Sequence, residues 1–134
     1  MIKGLWNYAV KVTSLDEAAR FYRGAMGAEL RISGHVLGCD YRLLRIGEAR
    51  IILFECAPYE HLLDAPLPLG FLHAVFEVDD FDQHVETLRA AGVDFLLGPE
   101  EIEAEFGRRK IAFFEAPDGL RTEIMQIIED TGRA

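Results

Sequence analysis

At 134 residues, half of them hydrophobic, the chain is long enough for one compact core and too short for two ordinary domains. A formal charge of -9 and a pI near 4.8 argue against a phosphate-tracking surface, so nucleic acid is not an expected partner. Residues Met1 to Asn7 lack an apolar core of signal-peptide length, and the longest uninterrupted apolar run, Ile51 to Phe54, is far short of a membrane span, so a soluble cytoplasmic protein without membrane association is expected.

Leu5 to Val12 alternates Leu5, Asn7, Ala9 and Lys11 against Trp6, Tyr8, Val10 and Val12, a strand with one apolar and one mixed face. Ser14-Leu15-Asp16-Glu17 is a capping box, the stripe Leu15, Ala18, Ala19, Tyr22, Met26 is helical, and Gly27 stops the helix. Ala28 to His35, Tyr41 to Ile46 and Ala49 to Glu55 read as three strands divided by Gly34, Gly38 and Gly47, the last two forming a hairpin. Ala57 to Gly70 carries Pro58, Pro66 and Pro68 and reads as a linker. Cys39 and Cys56 have neither metal-motif nor secreted-framework spacing and read as buried free thiols.

The stretch Gly70 to Gly92 then repeats the opening: a strand containing His73, an Asp80 cap with Gln83 three residues on, an apolar stripe of Phe81, Val85 and Leu88, and a glycine stop. Asn7, Val12, Ser14, Leu15 and Asp16 correspond to His73, Val78, Asp80, Phe81 and Asp82, each pair 66 residues apart, so the chain contains an internal repeat. Val93 to Leu97, Lys110 to Phe114 and Leu120 to Ile128 complete the second set of strands, with Pro117-Asp118-Gly119 as the hairpin turn. Glu100 to Glu105 reads as a solvated acidic loop, and Arg108, Arg109 and Lys110 as an exposed basic cluster beside it, with Arg109 a candidate to receive an anionic group at a cleft mouth. The expected fold is α+β. Two βαβββ modules, residues 1–56 and 71–134, joined by the linker 57–70 within one domain, form a curved mixed sheet around a cleft with the helices outside.

Glu55 ends the last strand of the first half and Glu123 lies in the last strand of the second, 48 residues after Asn7 and 50 after His73 respectively. Two carboxylates on apolar strands beside a histidine call for compensating positive charge, which a divalent metal supplies. The mixed oxygen and nitrogen donors suit nickel, zinc, cobalt, manganese or iron.

These residues carry a resemblance to the vicinal oxygen chelate superfamily, which includes glyoxalase I, methylmalonyl-CoA epimerase, extradiol dioxygenases, and fosfomycin- and bleomycin-resistance proteins. The carriers are the strand-helix from Asn7-Tyr8-Ala9-Val10 to Phe21-Tyr22-Arg23, the strand Leu72 to Asp80, and Phe113 to Gly119 leading to Glu123. The resemblance implies a metal cleft, often in a homodimer, with Glu55, His73 and Glu123 as ligands and Asn7, directly or through water, where relatives carry His or Gln. Loss of that first histidine argues against dioxygenase and fosfomycin chemistry. The implied activity is that of a glyoxalase I-like isomerase, epimerase or lyase, acting on a small 2-oxo, 2-hydroxy or thioester compound through a metal-stabilised enediolate. Glu123 is the implied base, and Glu55 a ligand or second base. Lys11 and Tyr59, candidate substrate contacts, replace the Arg and Asn of glutathione-specific enzymes, and Lys11 is equally well read as a strand-edge lysine facing Glu77. The competing reading is a metal-free small-molecule-binding protein of the bleomycin-resistance type.

Overall fold

The structure, a computed structural model, describes all of residues 1–134. Its strands are β1 (Ile2–Lys11), β2 (Glu29–Val36), β3 (Cys39–Ile46), β4 (Ala49–Phe54), β5 (Gly70–Val78), β6 (Phe95–Ala104), β7 (Gly107–Ala116) and β8 (Leu120–Asp130), with helices α1 (Leu15–Met26) after β1 and α2 (Phe81–Ala90) after β5. The strand-helix-three-strand pattern therefore occurs twice, as the repeat requires. All eight strands join one mixed sheet in the order β2-β3-β4-β1-β5-β8-β7-β6. The halves meet within one chain where β1 runs antiparallel to β5, and within each half the first and last strands are parallel, β1 with β4 and β5 with β8.

Tyr8 pairs with Ala74, its own repeat mate, so a pseudo-twofold axis passes between them and sets Asn7 and His73 symmetrically on either side. Both caps form as their sequence suggests: Ser14 accepts from the Glu17 N–H, Asp80 accepts from the Gln83 N–H, and Gly27 closes α1 with φ of 71°. Outside the sheet, Leu15 and Ala19 of α1 pack on Leu44, Ile51 and Leu53, and Phe81 and Val85 of α2 pack on Val78, Ala112, Phe114 and Ile124. The largest apolar cluster fills the concave face and includes Ile32, Tyr41, Leu43, Phe54, Val75, Ile111, Phe113 and Met125.

Residues Glu100 to Glu105, expected to be a solvated loop, are instead edge strand β6 and its turn. Glu101 lies opposite Lys110 and Glu103 opposite Arg108, opposite charges across a ladder, while Ile102 and Ala104 turn to the core. The β6–β7 hairpin leans across the open side of the sheet to the other edge. There the Glu105 carboxylate accepts from the Tyr41 hydroxyl at 2.8 Å and from the His35 N–H at 3.3 Å. Thr131 N–H donates to the Phe106 carbonyl, and Arg31 donates to the carbonyls of Gly132 and Arg133. Gly34 leaves room for this contact, because a Cβ there would displace the Glu105 carboxylate and crowd the Tyr41 ring. These contacts close the curved sheet almost into a barrel. No helix is long and apolar enough to cross a membrane.

Candidate functional site

A small cavity of about 60 Å³ remains inside the curve, lined by 17 residues of which 12 are hydrophobic. Its polar lining consists of Asn7, His73, Arg109 and Glu123. All four are buried, so each must find its partners within the protein or in a ligand.

His73 is held from behind. Tyr59, fully buried, places its hydroxyl 2.9 Å from His73 Nδ1 and 3.2 Å from the Leu72 carbonyl, and Phe113 meets the imidazole edge-on with ring centres 5.0 Å apart. The other ring nitrogen, Nε2, lies 3.7 Å from Glu123 Oε1. That spacing suits an ion pair, yet burial acts against both charges. It pushes Glu123 up to about 8, and burial followed by the Arg121 charge brings His73 down to about 3. Near pH 7 the pair is a carboxylic acid beside a neutral imidazole. Asn7 adds an amide whose Nδ2 is buried without a partner, a donor awaiting an acceptor.

Four of the candidate residues thus line the cavity: Asn7, His73 and Glu123, and with them Arg109. Glu55 does not join them. Along β4 alternate side chains face opposite sides, so Ile52 and Phe54 enter the cavity while Leu53 and Glu55 point outward. Exposed at the strand end, Glu55 accepts the Leu15 N–H at 2.9 Å and so caps the first turn of α1. Its repeat mate does the same: Gln126 accepts the Phe81 N–H at 2.9 Å and caps α2. The pairing of Val75 with Glu123 corresponds to that of Ala9 with Ile52. Ile52, which the sequence reading missed, is therefore the true counterpart of Glu123; 123 − 52 and 126 − 55 both equal 71.

The remaining candidates settle as follows. Tyr59 positions His73 from outside the cavity lining. Lys11 pairs with Glu60 at 2.6 Å and donates to the Leu67 carbonyl, pinning the linker, whereas Glu77 is met by Lys3 at 3.4 Å. Arg109, expected in an exposed cluster, is buried because its alternating position on β7 turns inward. Its guanidinium donates to the carbonyls of Glu129, Phe106 and Arg108, with the nearest carboxylate, Asp130, 3.8 Å away. Cys39 is buried as expected, but Cys56 is exposed.

The site can be tested against the divalent metal implied by the resemblance. The four corresponding positions hold Asn7, Ile52, His73 and Glu123, and no group of three His, Cys, Asp or Glu side chains converges anywhere in the chain. One imidazole and one carboxylate, with an amide in the first place and an aliphatic side chain in the second, do not make the expected four-ligand set.

Among solved structures, the chain is similar to methylmalonyl-CoA epimerase from Mycobacterium tuberculosis, at 21% identity and a TM-score of 0.75, covering 96% of this chain and 90% of that one. It is also similar to Streptomyces coelicolor methylmalonyl-CoA epimerase in complex with 2-nitronate-propionyl-CoA (20% identity, TM-score 0.73, 96% of this chain and 100% of that one). A hypothetical protein of Bacillus halodurans C-125 matches at 21% identity and a TM-score of 0.72, covering 95% and 96%. At these identities the likeness is one of fold. A family model described as Glyoxalase/Bleomycin resistance protein/Dioxygenase superfamily matches residues 5–124, nearly the whole repeat with its paired strands and cavity, and the chain belongs to that superfamily.

Proposed function

We propose that this protein binds a small, largely apolar molecule in the β-sheet cavity without a four-ligand metal centre. The observation that carries the reading is Ile52 in the cavity at the position equivalent to Glu123, with Glu55 turned away to cap α1. The lining suits an apolar body with a carbonyl or hydroxyl at the Asn7, His73 and Glu123 end, where one orphaned donor, one imidazole and one carboxyl group converge. The Arg109 guanidinium in the lining favours an anionic over a cationic ligand. A volume of about 60 Å³ accommodates only a few waters, so a larger ligand needs the cavity lining to open.

A second reading, isomerase or epimerase chemistry, is favoured by the His73–Glu123 contact. A buried carboxyl group titrating near 8 can exchange protons with a carbon acid at neutral pH. In that reading ionised Glu123 takes a proton from the carbon beside a substrate carbonyl and returns it, while Asn7 Nδ2 donates to the developing enolate oxygen. The methylmalonyl-CoA epimerases of the same fold make a carbonyl or thioester compound the substrate class to try first. A homodimer is part of the proposal, supported by the exposed Leu5, Leu69, Phe71 and Leu120, and light scattering would test it.

Metal analysis of protein purified without chelator tests the first reading. Less than a tenth of an equivalent of divalent metal is the expected outcome, on the order of trace contamination. Stoichiometric metal that disappears in His73→Ala and Glu123→Ala would overturn it. Incubating the protein in deuterium oxide with small carbonyl compounds and following the α-proton by NMR separates binder from enzyme: exchange lost in Glu123→Gln establishes proton transfer, and ligand-induced stabilisation without exchange establishes binding alone.

A further inference from the structure

Two cysteines lie beside the cavity rather than in it. Cys39 opens β3, and Cys56 follows the end of β4 by two residues. The ladder pairs Arg42 with Leu53 and Tyr41 with Phe54; carried two residues outward, the same register sets Cys39 opposite Cys56. The side chains meet there, Sγ against Sγ at 2.6 Å. One thiol is buried among the core residues and the other is exposed, and both border an open trough lined also by Leu37, Glu60 and His61. A cross-strand pair placed by backbone register, with its sulfurs already in contact, has only a short distance to close to bond. An exposed partner gives an oxidant access to it.

We propose that Cys39 and Cys56 form a reversible redox-modification site, in which a peroxide converts the adjacent thiols into an intramolecular disulfide. The Cys56 thiolate attacks one oxygen of hydrogen peroxide, the O–O bond breaks, and the departing hydroxide takes up a proton, leaving Cys56 as a sulfenic acid. The Cys39 sulfur then attacks the Cys56 sulfur, the S–O bond breaks, and the leaving hydroxide carries away the Cys39 proton as water. Two thiols and one hydrogen peroxide give one disulfide and two waters, with the sulfurs losing two electrons. Burial, and then the hydrogen bond with Cys56, push the Cys39 thiol up to about 12, consistent with Cys56 reacting first.

The bond would tie together two segments that border the cavity. Cys39 follows the turn at Leu37 and Gly38, and Cys56 precedes Ala57-Pro58-Tyr59; Leu37 and Pro58 line the cavity, and Tyr59 holds His73. Oxidation therefore fixes the wall that carries the imidazole support. This holds whether the cavity binds or catalyses.

The test uses the full chain, reduced, desalted, exposed to hydrogen peroxide and blocked with N-ethylmaleimide before intact-mass and peptide analysis. The expected result is joint loss of both alkylatable thiols, a mass lower by two hydrogens before alkylation, a linked Cys39–Cys56 peptide in monomeric protein, and full recovery with dithiothreitol. Amide exchange at Leu37 and Tyr59 slows in the oxidised form. In Cys39→Ser, dimedone traps the Cys56 sulfenic acid and no intramolecular link forms. Oxidation of Cys56 to the sulfinic acid with Cys39 still alkylatable, links only between molecules, or two thiols that survive peroxide would each overturn the proposal. The wild-type readout does not depend on the variant folding.

Discussion

Replacing Glu123 by Gln keeps the side chain's size while removing its ionisation, and this isolates the least comfortable group in the cavity. Burial raises the Glu123 carboxyl from 4.5 to about 8, so between those values the folded protein holds a proton that the unfolded chain has released. Its contribution to stability is fully present below pH 4.5 and is lost as pH rises through 8. At about 1.4 kcal/mol for each pH unit, the whole interval amounts to on the order of 5 kcal/mol. His73 runs the other way. Burial, then the Arg121 charge, lowers it from 6.5 to about 3, so its contribution is fully present above pH 6.5 and is lost as pH falls through 3. Between pH 4.5 and 6.5 the two slopes cancel; from 6.5 to 8 only that of Glu123 remains, and these two groups together cost about 2 kcal/mol there. Urea unfolding of wild type and Glu123→Gln, in chelator and at steps from about pH 5 to 9, reads this directly. The variant gains on wild type as pH rises, the gap widening until about pH 8. Parallel curves across that range would refute the reasoning, because they would mean that Glu123 is already ionised and compensated in the folded state.

Glu55→Ala should cost about 1 kcal/mol in urea unfolding, the value of a helix cap, and leave cavity binding as in wild type; Gln126→Ala should behave alike at α2. A loss of binding in Glu55→Ala would return Glu55 to the site. The double change Asn7→His with Ile52→Glu places imidazole and carboxylate at the two vacant ligand positions, and equilibrium dialysis against zinc should then show about one metal bound per chain where wild type shows none. Failure of the folded double variant to bind would refute the assigned equivalence of Ile52 and Glu123. Gly34→Ala should displace the Glu105 carboxylate, cost about 1–3 kcal/mol, and speed amide exchange at His35 and along the β6–β7 turn; unchanged exchange would show that this latch does not hold the hairpin closed.

What the sequence made legible was whatever the repeat states twice. Asn7 and His73 share one offset with the caps and helices that follow them, so their equivalence is legible in the sequence, and the ladder adds that they flank the Tyr8–Ala74 pair. Glu55 was misplaced for a specific reason. Strand β4 is covered by α1 on one face and by the cavity on the other, so Ile51-Ile52-Leu53-Phe54 is apolar throughout and carries no alternation to reveal which side faces in. Offsets of 48 and 50 preserve parity only if strands β4 and β8 start equivalently, and the ladders show that they do not. A better signal was present in the helices. Leu15 and Phe81 each leave an N–H without an intrahelical acceptor, and Glu55 and Gln126 are the polar residues that the last strand of each half supplies to meet it. Similarly, the acidic run before Arg108 looks solvated until its alternate residues are set against the basic ones of β7.

The repeat preserves positions while the chemistry at them diverges. The first module contributes Asn7 and Ile52 to the cavity, an amide and an aliphatic chain, and the second contributes His73 and Glu123. All of the proton-exchanging capacity therefore lies on β5 and β8, and the β4 wall facing it is apolar through Ile52 and Phe54. A symmetric metal centre draws ligands from both modules across the pseudo-twofold axis; this cavity instead keeps its imidazole and carboxyl on one module while apolar side chains line it from both. Such a division orients a ligand rather than coordinating an ion, with the carbonyl or hydroxyl at the Asn7, His73 and Glu123 end and the hydrocarbon against the apolar lining that both modules supply. Exchanging imidazole and amide, by His73→Asn with Asn7→His, would take the imidazole away from Glu123 without restoring a metal site, because the position equivalent to Glu123 in the first module is held by Ile52.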